Sequence, residues 1–173
     1  MEKEIDSHLT EVVDKLQHVQ VFSDLSGQRD ALEKLARIMH KRAIAQGERI
    51  IEEGAPGDET FILLKGTVRV AKTTLQQEEY TVVILNDSMN AIIGELGLLD
   101  SDKRSASVLA ETDCELLVIN RKDFIEFGNQ YPHLGLPITR QIAKTLSSRL
   151  RKSSQDLITL FSALVTEIGE GTL

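Results

Sequence analysis

Gly94-Glu95-Leu96-Gly97-Leu98-Leu99-Asp100-Ser101-Asp102-Lys103-Arg104-Ser105-Ala106-Ser107 is the stretch on which the rest of the sequence turns, because it places anion-binding chemistry in one connection between two β-like runs. Gly94 lets a ligand approach the backbone where a Cβ would intrude. Glu95 to Leu99 reads as a single helical turn, whose first N–H groups lack intrahelical acceptors and attract anions. Arg104 follows, and its planar guanidinium can hold two oxygens of a phosphate at once. Ser105 adds a hydroxyl and an N–H, and Ala106 is small enough for a ligand to lie close. Glu95 would repel a phosphate unless aimed elsewhere, and a sugar hydroxyl is the partner that suits a carboxylate acceptor.

The run Ile93 to Leu99, followed by Arg104-Ser105-Ala106-Ser107-Val108, resembles the phosphate-binding cassette of cyclic-nucleotide-binding domains of the catabolite-activator type. Upstream, Glu53-Gly54-Ala55-Pro56-Gly57-Asp58-Glu59-Thr60-Phe61-Ile62-Leu63-Leu64-Lys65-Gly66-Thr67-Val68-Arg69-Val70 is similar to that family's turn-and-hairpin signature, and the likeness runs over roughly residues 20 to 155. The resemblance implies that Glu95 takes a ribose 2′-hydroxyl and that Arg104 and Ser105 take the cyclic phosphate, in a ligand site shared with Gly94, Leu96 and Ala106. It also places Ser153 and Ser154 near where relatives present Thr and Ser from paired helices to an adenine amino group. A hydroxyl can accept from that amine or donate to a guanine carbonyl, so those serines leave the base open. Ser105, where guanine-preferring members often carry Thr, favours cyclic AMP over cyclic GMP. Two departures stand out: Asn86-Asp87-Ser88-Met89-Asn90 replaces a Gly-containing turn, and Lys103 replaces a common Pro.

The 173 residues suffice for one buried core with a helical appendage, and a formal charge of −7 argues against a broad nucleic-acid-binding surface. No apolar run approaches the roughly 20 residues that a bilayer demands. The start Met1-Glu2-Lys3-Glu4-Ile5-Asp6 has no signal-peptide character, so a cytoplasmic protein with no membrane partner is expected. The single cysteine, Cys114, sits in an apolar run and reads as a buried strand thiol. His8, His18 and His40 lack metal-ligand spacing, and neither a nucleophile–His pairing nor a Walker loop is found, so neither a metal nor an enzyme activity is expected.

Ile5, Leu9, Val12, Val13 and Leu16 recur at helical spacing, and Ser23-Asp24-Leu25-Ser26 offers caps before a second helix through Leu32, Leu35, Ile38 and Met39. Short β-like runs follow at 42–45, 48–51, 60–64, 67–71, 80–85, 107–110 and 114–119, punctuated by glycines, a spacing that suggests a sandwich or barrel. Gly57-Asp58 and Lys65-Gly66 read as turns. A short helix from Arg121 to Phe127 is expected to end at Gly128-Asn129, with Pro132 and Pro137 bracketing the start of a long one. There Leu146, Leu150, Ser153, Leu157, Leu160, Leu164 and Ile168 approach a heptad seam, while Arg149, Arg151 and Lys152 read as a solvated face.

The fold expected is therefore α+β: a β-roll of the double-stranded β-helix or jelly-roll kind, flanked by N-terminal helices and a long C-terminal helix. An N-terminal helix occupies 1–20, the nucleotide-binding roll with flanking helices 21–136, and the dimerisation helix with its polar tail 137–173. The function expected is a cyclic-nucleotide sensor, a homodimer whose ligand acts through the long helix on an unknown downstream protein. Two readings compete: a ligand-free interaction module with a decayed pocket, and a fragment of a DNA-binding regulator. A natural Met1 and the Gly169-Glu170-Gly171-Thr172 tail favour a free-standing sensor over the fragment.

Overall fold

A computed structural model describes residues 2–100 and 102–170. Ser101 and the 171–173 end of the tail lie outside the described residues, as do the side chains of Ile5, His8 and Ile168.

Helix α1 (Glu2–Leu16) leads through a 3-10 turn (Gln20–Leu25) to α2 (Arg29–Ala36). Eight strands follow: β1 (Met39–Ile44), β2 (Arg49–Ile51), β3 (Glu59–Lys65), β4 (Thr67–Thr73), β5 (Glu79–Asn86), β6 (Ile92–Ile93), β7 (Ser107–Ala110) and β8 (Cys114–Asn120). They form two four-stranded antiparallel sheets, ordered β1-β8-β3-β6 and β2-β7-β4-β5. Helices α3 (Arg121–Gln130) and α4 (Pro132–Glu170) close the chain. This is the α+β β-roll with helical flanks.

The alternation of side chains explains why one sheet holds two cores. Along β8, Cys114, Leu116 and Val118 point into the roll with Phe61 and Leu63 of β3, while Leu117 and Ile119 point the other way with Ile62. That outer face is covered by Val12, Leu16, Phe22, Leu32, Leu35, Phe124, Phe127, Leu134, Ile138 and Ile142 from the 3-10 turn and all four helices. A strand buried on both faces reads as a continuous apolar run, which is what Leu116 to Ile119 shows. The helices thus clamp the sheet that carries Gly94, and Cys114 is a buried free thiol.

Four boundaries differ from the sequence reading. Helix α2 ends at Ala36 and Met39 opens β1, because Met39 pairs with Ile119 and the ladder outweighs a helical turn. Helix α2 starts beyond Ser23–Ser26, which closes the preceding 3-10 turn instead. Two-residue β6 is too short to leave a periodic signal. Helix α3 runs through Gly128, because the missing side chain there serves packing rather than termination: a Cβ on Gly135 of α4 would lie 2.6 Å from Gly128 Cα. Pro137 lies inside α4 and forfeits one backbone bond near its start.

The glycine contact between α3 and α4 reverses an ordinary expectation. Glycine to alanine within a helix normally stabilises by about 0.5–1 kcal/mol. In Gly135→Ala the new methyl meets backbone that cannot yield, so overpacking prevails and about 1–3 kcal/mol of stability is lost. A fall in the urea midpoint with an unchanged m-value is the expected measurement.

Candidate functional site

A cavity of about 740 Å³ opens between the cassette and the β2-β7-β4-β5 sheet. Val70, Val82, Val83, Leu85 and Ile92 form an apolar wall that also carries Lys72, and Gly94 to Gly97, Arg104, Ser105 and Ala106 form the opposite side. Arg149 and Ser153 reach it from α4. Sequence reasoning placed Gly94, Glu95, Leu96, Arg104, Ser105, Ala106 and Ser153 at this site, and all of them line the cavity. Ser154 is not among the lining residues: its hydroxyl donates to Leu150 O at 3.0 Å, within the helix.

The two sequence motifs meet because their backbones pair. Arg104 N donates to Ala55 O at 2.9 Å and Gly54 N donates to Arg104 O at 2.9 Å, so the upstream turn and the cassette hold each other. Ser107 Oγ accepts from Glu53 N at 2.9 Å, and the fully buried Thr60 donates to Gly94 O at 2.8 Å. Gly94 adopts φ +74°, the left-handed conformation that starts the Glu95–Leu98 turn.

Arg104 is half-buried, and its guanidinium donates to Glu59 O at 2.6 Å and Gly94 O at 3.4 Å. Among the described residues no carboxylate is ion-paired with it directly. Burial pushes its pKa below the usual guanidinium value, with Glu59 and Asp58 opposing that from a distance. A guanidinium has five donors, so two carbonyl contacts leave it both under-compensated and able to bind more. Three glycines seat it: added Cβ atoms at Gly57, Gly94 and Gly97 would fall 2.4, 2.8 and 2.9 Å from its nitrogens. Gly57 therefore gives room to the arginine, and it lies beyond the turn at Glu53 and Gly54 rather than in the turn the sequence suggested for Gly57-Asp58.

Glu95 is buried and points away from Arg104, forming an ion pair through Oε1 with Arg149 Nη1 of α4. The sequence reading put Arg149 on a solvated face, and its side chain is indeed 60% exposed, but the reading missed its pairing with Glu95. Arg149 precedes Ser153 by four residues, one helical turn, so the shared face was the available signal. Behind the cassette, Arg42 holds both Glu59 oxygens at 2.5 and 2.8 Å and draws that carboxyl below the usual range, fixing the β3 end whose carbonyl receives Arg104.

A glycine-seated guanidinium and a buried carboxylate that line one cavity of a β-roll have the chemistry that suits a phosphate ester and a sugar hydroxyl. The model of the cyclic nucleotide-binding domain matches residues 41–131, and the chain belongs to that family. It is 32% identical over 117 residues to the cyclic AMP receptor protein of Thermus thermophilus, covering 68% of this chain and 51% of that protein. It is 34% identical over 117 residues to the cGMP-dependent protein kinase, isozyme 2 forms cD5/T2, of Drosophila melanogaster, covering 66% of this chain and 12% of the kinase. The chain thus spans about half the length of the first relative and much less of the second. Among solved structures, a cyclic nucleotide-binding domain from Methylobacillus flagellatus superposes with a TM-score of 0.73 at 25% identity, covering 88% of this chain and 84% of that one.

The glycine seat is testable apart from the charge it holds. Gly57→Ala puts a methyl 2.4 Å from Arg104 Nε, and the end of a flexible side chain yields more readily than backbone. The expected outcome is a folded protein with little change in urea midpoint whose affinity for a cyclic nucleotide falls at least tenfold by calorimetry.

Proposed function

We propose that this chain is a cyclic-nucleotide sensor that prefers cyclic AMP and transmits occupancy through α4 to a homodimer interface and from there to a protein partner. The observation that carries the reading is the half-buried Arg104, whose guanidinium, among the described residues, bonds to the carbonyl oxygens of Glu59 and Gly94 and lines the cavity. A cyclic phosphate supplies the negative charge this guanidinium lacks, with Ser105 beside it. Glu95 accepts from the ribose 2′-hydroxyl, and the apolar wall of Val70, Val83 and Leu85 takes the base.

Coupling to α4 follows from Glu95. A sugar hydroxyl that engages this carboxylate changes what Arg149 is bonded to, and Arg149 stands where α4 leaves the body of the domain. Leu134, Ile138 and Ile142 before it are buried, whereas Leu150, Leu157, Leu160 and Leu164 after it are exposed. That exposed seam is the surface on which a second copy fits. Ser153, beside the cavity, reads the base edge.

Calorimetry with cyclic AMP and cyclic GMP is the test. Arg104→Ala should weaken binding by roughly 2–5 kcal/mol, because a buried anion is left unmatched, and Arg104→Lys should also weaken it. Unchanged affinity in folded Arg104→Ala ends this reading. Ser153→Ala is expected to shift the ratio of cyclic AMP to cyclic GMP affinity, while Ser154→Ala leaves it unchanged. In sedimentation, wild-type protein should self-associate and Leu157→Glu should be monomeric at tens of micromolar, each seam leucine being worth about 1.5–3 kcal/mol when buried.

A further inference from the structure

The projecting part of α4 carries more apolar surface than a paired seam uses. Leu157, Leu160 and Leu164 form one stripe; Ile158, Phe161 and Val165 form a second, each displaced by one residue. All six are between 53% and 69% exposed. At about 100° per residue the two stripes are centred about 100° apart and together span roughly 160° of the helix, far wider than the a and d positions of a two-stranded coiled coil.

From these stripes we infer that residues 157–165 are the core-facing segment of a four-helix bundle, in which four copies of this chain assemble as a dimer of dimers. The inference rests on the reading of Leu146 to Ile168 as a self-association seam and adds a second contact to it. In a square arrangement each helix meets two neighbours at about 90°, close to the angle between the stripes, whereas a three-helix arrangement would set them about 60° apart.

Three observations identify the occupant as further copies of the chain. A two-stranded seam through Leu157, Leu160 and Leu164 leaves Ile158, Phe161 and Val165 uncovered, and a second contact with further copies would bury them. Next, positions 153–166 contain one charged residue, Asp156, so a two-stranded coil would leave an outer face without the charges that such faces carry. Finally, Ser154, Thr159, Ser162 and Thr166 each donate to the carbonyl four residues earlier, at 2.8 to 3.0 Å, so these donors are satisfied before any neighbour arrives. A membrane surface fits worse. A helix lying in lipid headgroups draws on Lys and Arg along its polar face, and 153–166 has neither. Nor is any helix among the described residues long and apolar enough to cross a bilayer.

The test is light scattering coupled to gel filtration on the full chain at tens of micromolar, with Ile158→Gln/Val165→Gln and, separately, Phe161→Ser. The expected wild-type mass is four times 19.3 kDa, and both variants should fall to twice 19.3 kDa while still binding cyclic AMP. A wild type of twice 19.3 kDa overturns the four-chain assembly and leaves the paired seam standing. A monomeric wild type overturns both. Variants that keep the four-chain mass, or wild-type protein that floats with phosphatidylcholine–phosphatidylserine vesicles and is monomeric without them, also overturn it.

Discussion

The burial of the Arg104 guanidinium without a carboxylate in contact is the constraint on which the rest of the site depends. Removing a cation from water is costly, and a direct ion pair would offset part of that cost. This chain uses two backbone carbonyls instead, those of Glu59 and Gly94, whose partial charges compensate incompletely. The deficit is visible in the direction of the Arg104 pKa. An arginine already paired would have to surrender its partner before accepting a phosphate. One held by carbonyls needs no such exchange, so the polarity of the seat and its readiness for an anion have the same cause.

Holding an arginine this way requires a rigid surround. The Glu59 carbonyl sits at the start of β3, where the Arg42 to Glu59 pair fixes the strand end, and the Gly94 carbonyl is held by the buried Thr60 hydroxyl. The reciprocal bonds of Arg104 with Gly54 and Ala55 bring the backbone of the upstream turn alongside. Gly57, Gly94 and Gly97 then leave the space that the guanidinium fills. Two separated stretches of sequence carry one physical task, which is why their joint presence is far more informative than either alone.

That division also explains what could be read from sequence. Alternation in β3 and β8 reflects faces that are simply inside or outside, so strands there are legible, and the cassette is legible because glycines and an arginine at fixed spacing have few other uses. The pairing of Arg149 was hidden because it stands in a run with Arg151 and Lys152, all three exposed, and nothing local separates the one that reaches Glu95 from the other two. Gly128 misled because a glycine near a helix end usually terminates it, whereas here the constraint comes from Gly135, seven residues on and in another helix. In both cases the deciding contact is tertiary, and propensity gives way to packing.

Helix α4 belongs to two environments at once, and the boundary between them coincides with the site. Up to Ile142 it is anchored in the core by Leu134 and Ile138; beyond Arg149 Leu150, Leu157, Ile158, Leu160, Phe161, Leu164 and Val165 are exposed. The Glu95 to Arg149 pair lies at that boundary. A ligand can move such an element only by as much as it binds one arrangement better than the other. On the proposed coupling, its leverage on the arm is set by what happens to this pair, in which Arg149 is largely solvated but the buried Glu95 needs a replacement partner such as a sugar hydroxyl, while the buried turns of α4 hold the near end in place. From Arg149 to Val165 a helix rises about 24 Å, so a small rotation at the pair becomes a displacement of several ångströms at Phe161 and Val165. On the proposed function, an arm that pairs with other copies would convert the choice of one carboxylate's partner into a change in how copies of the chain meet.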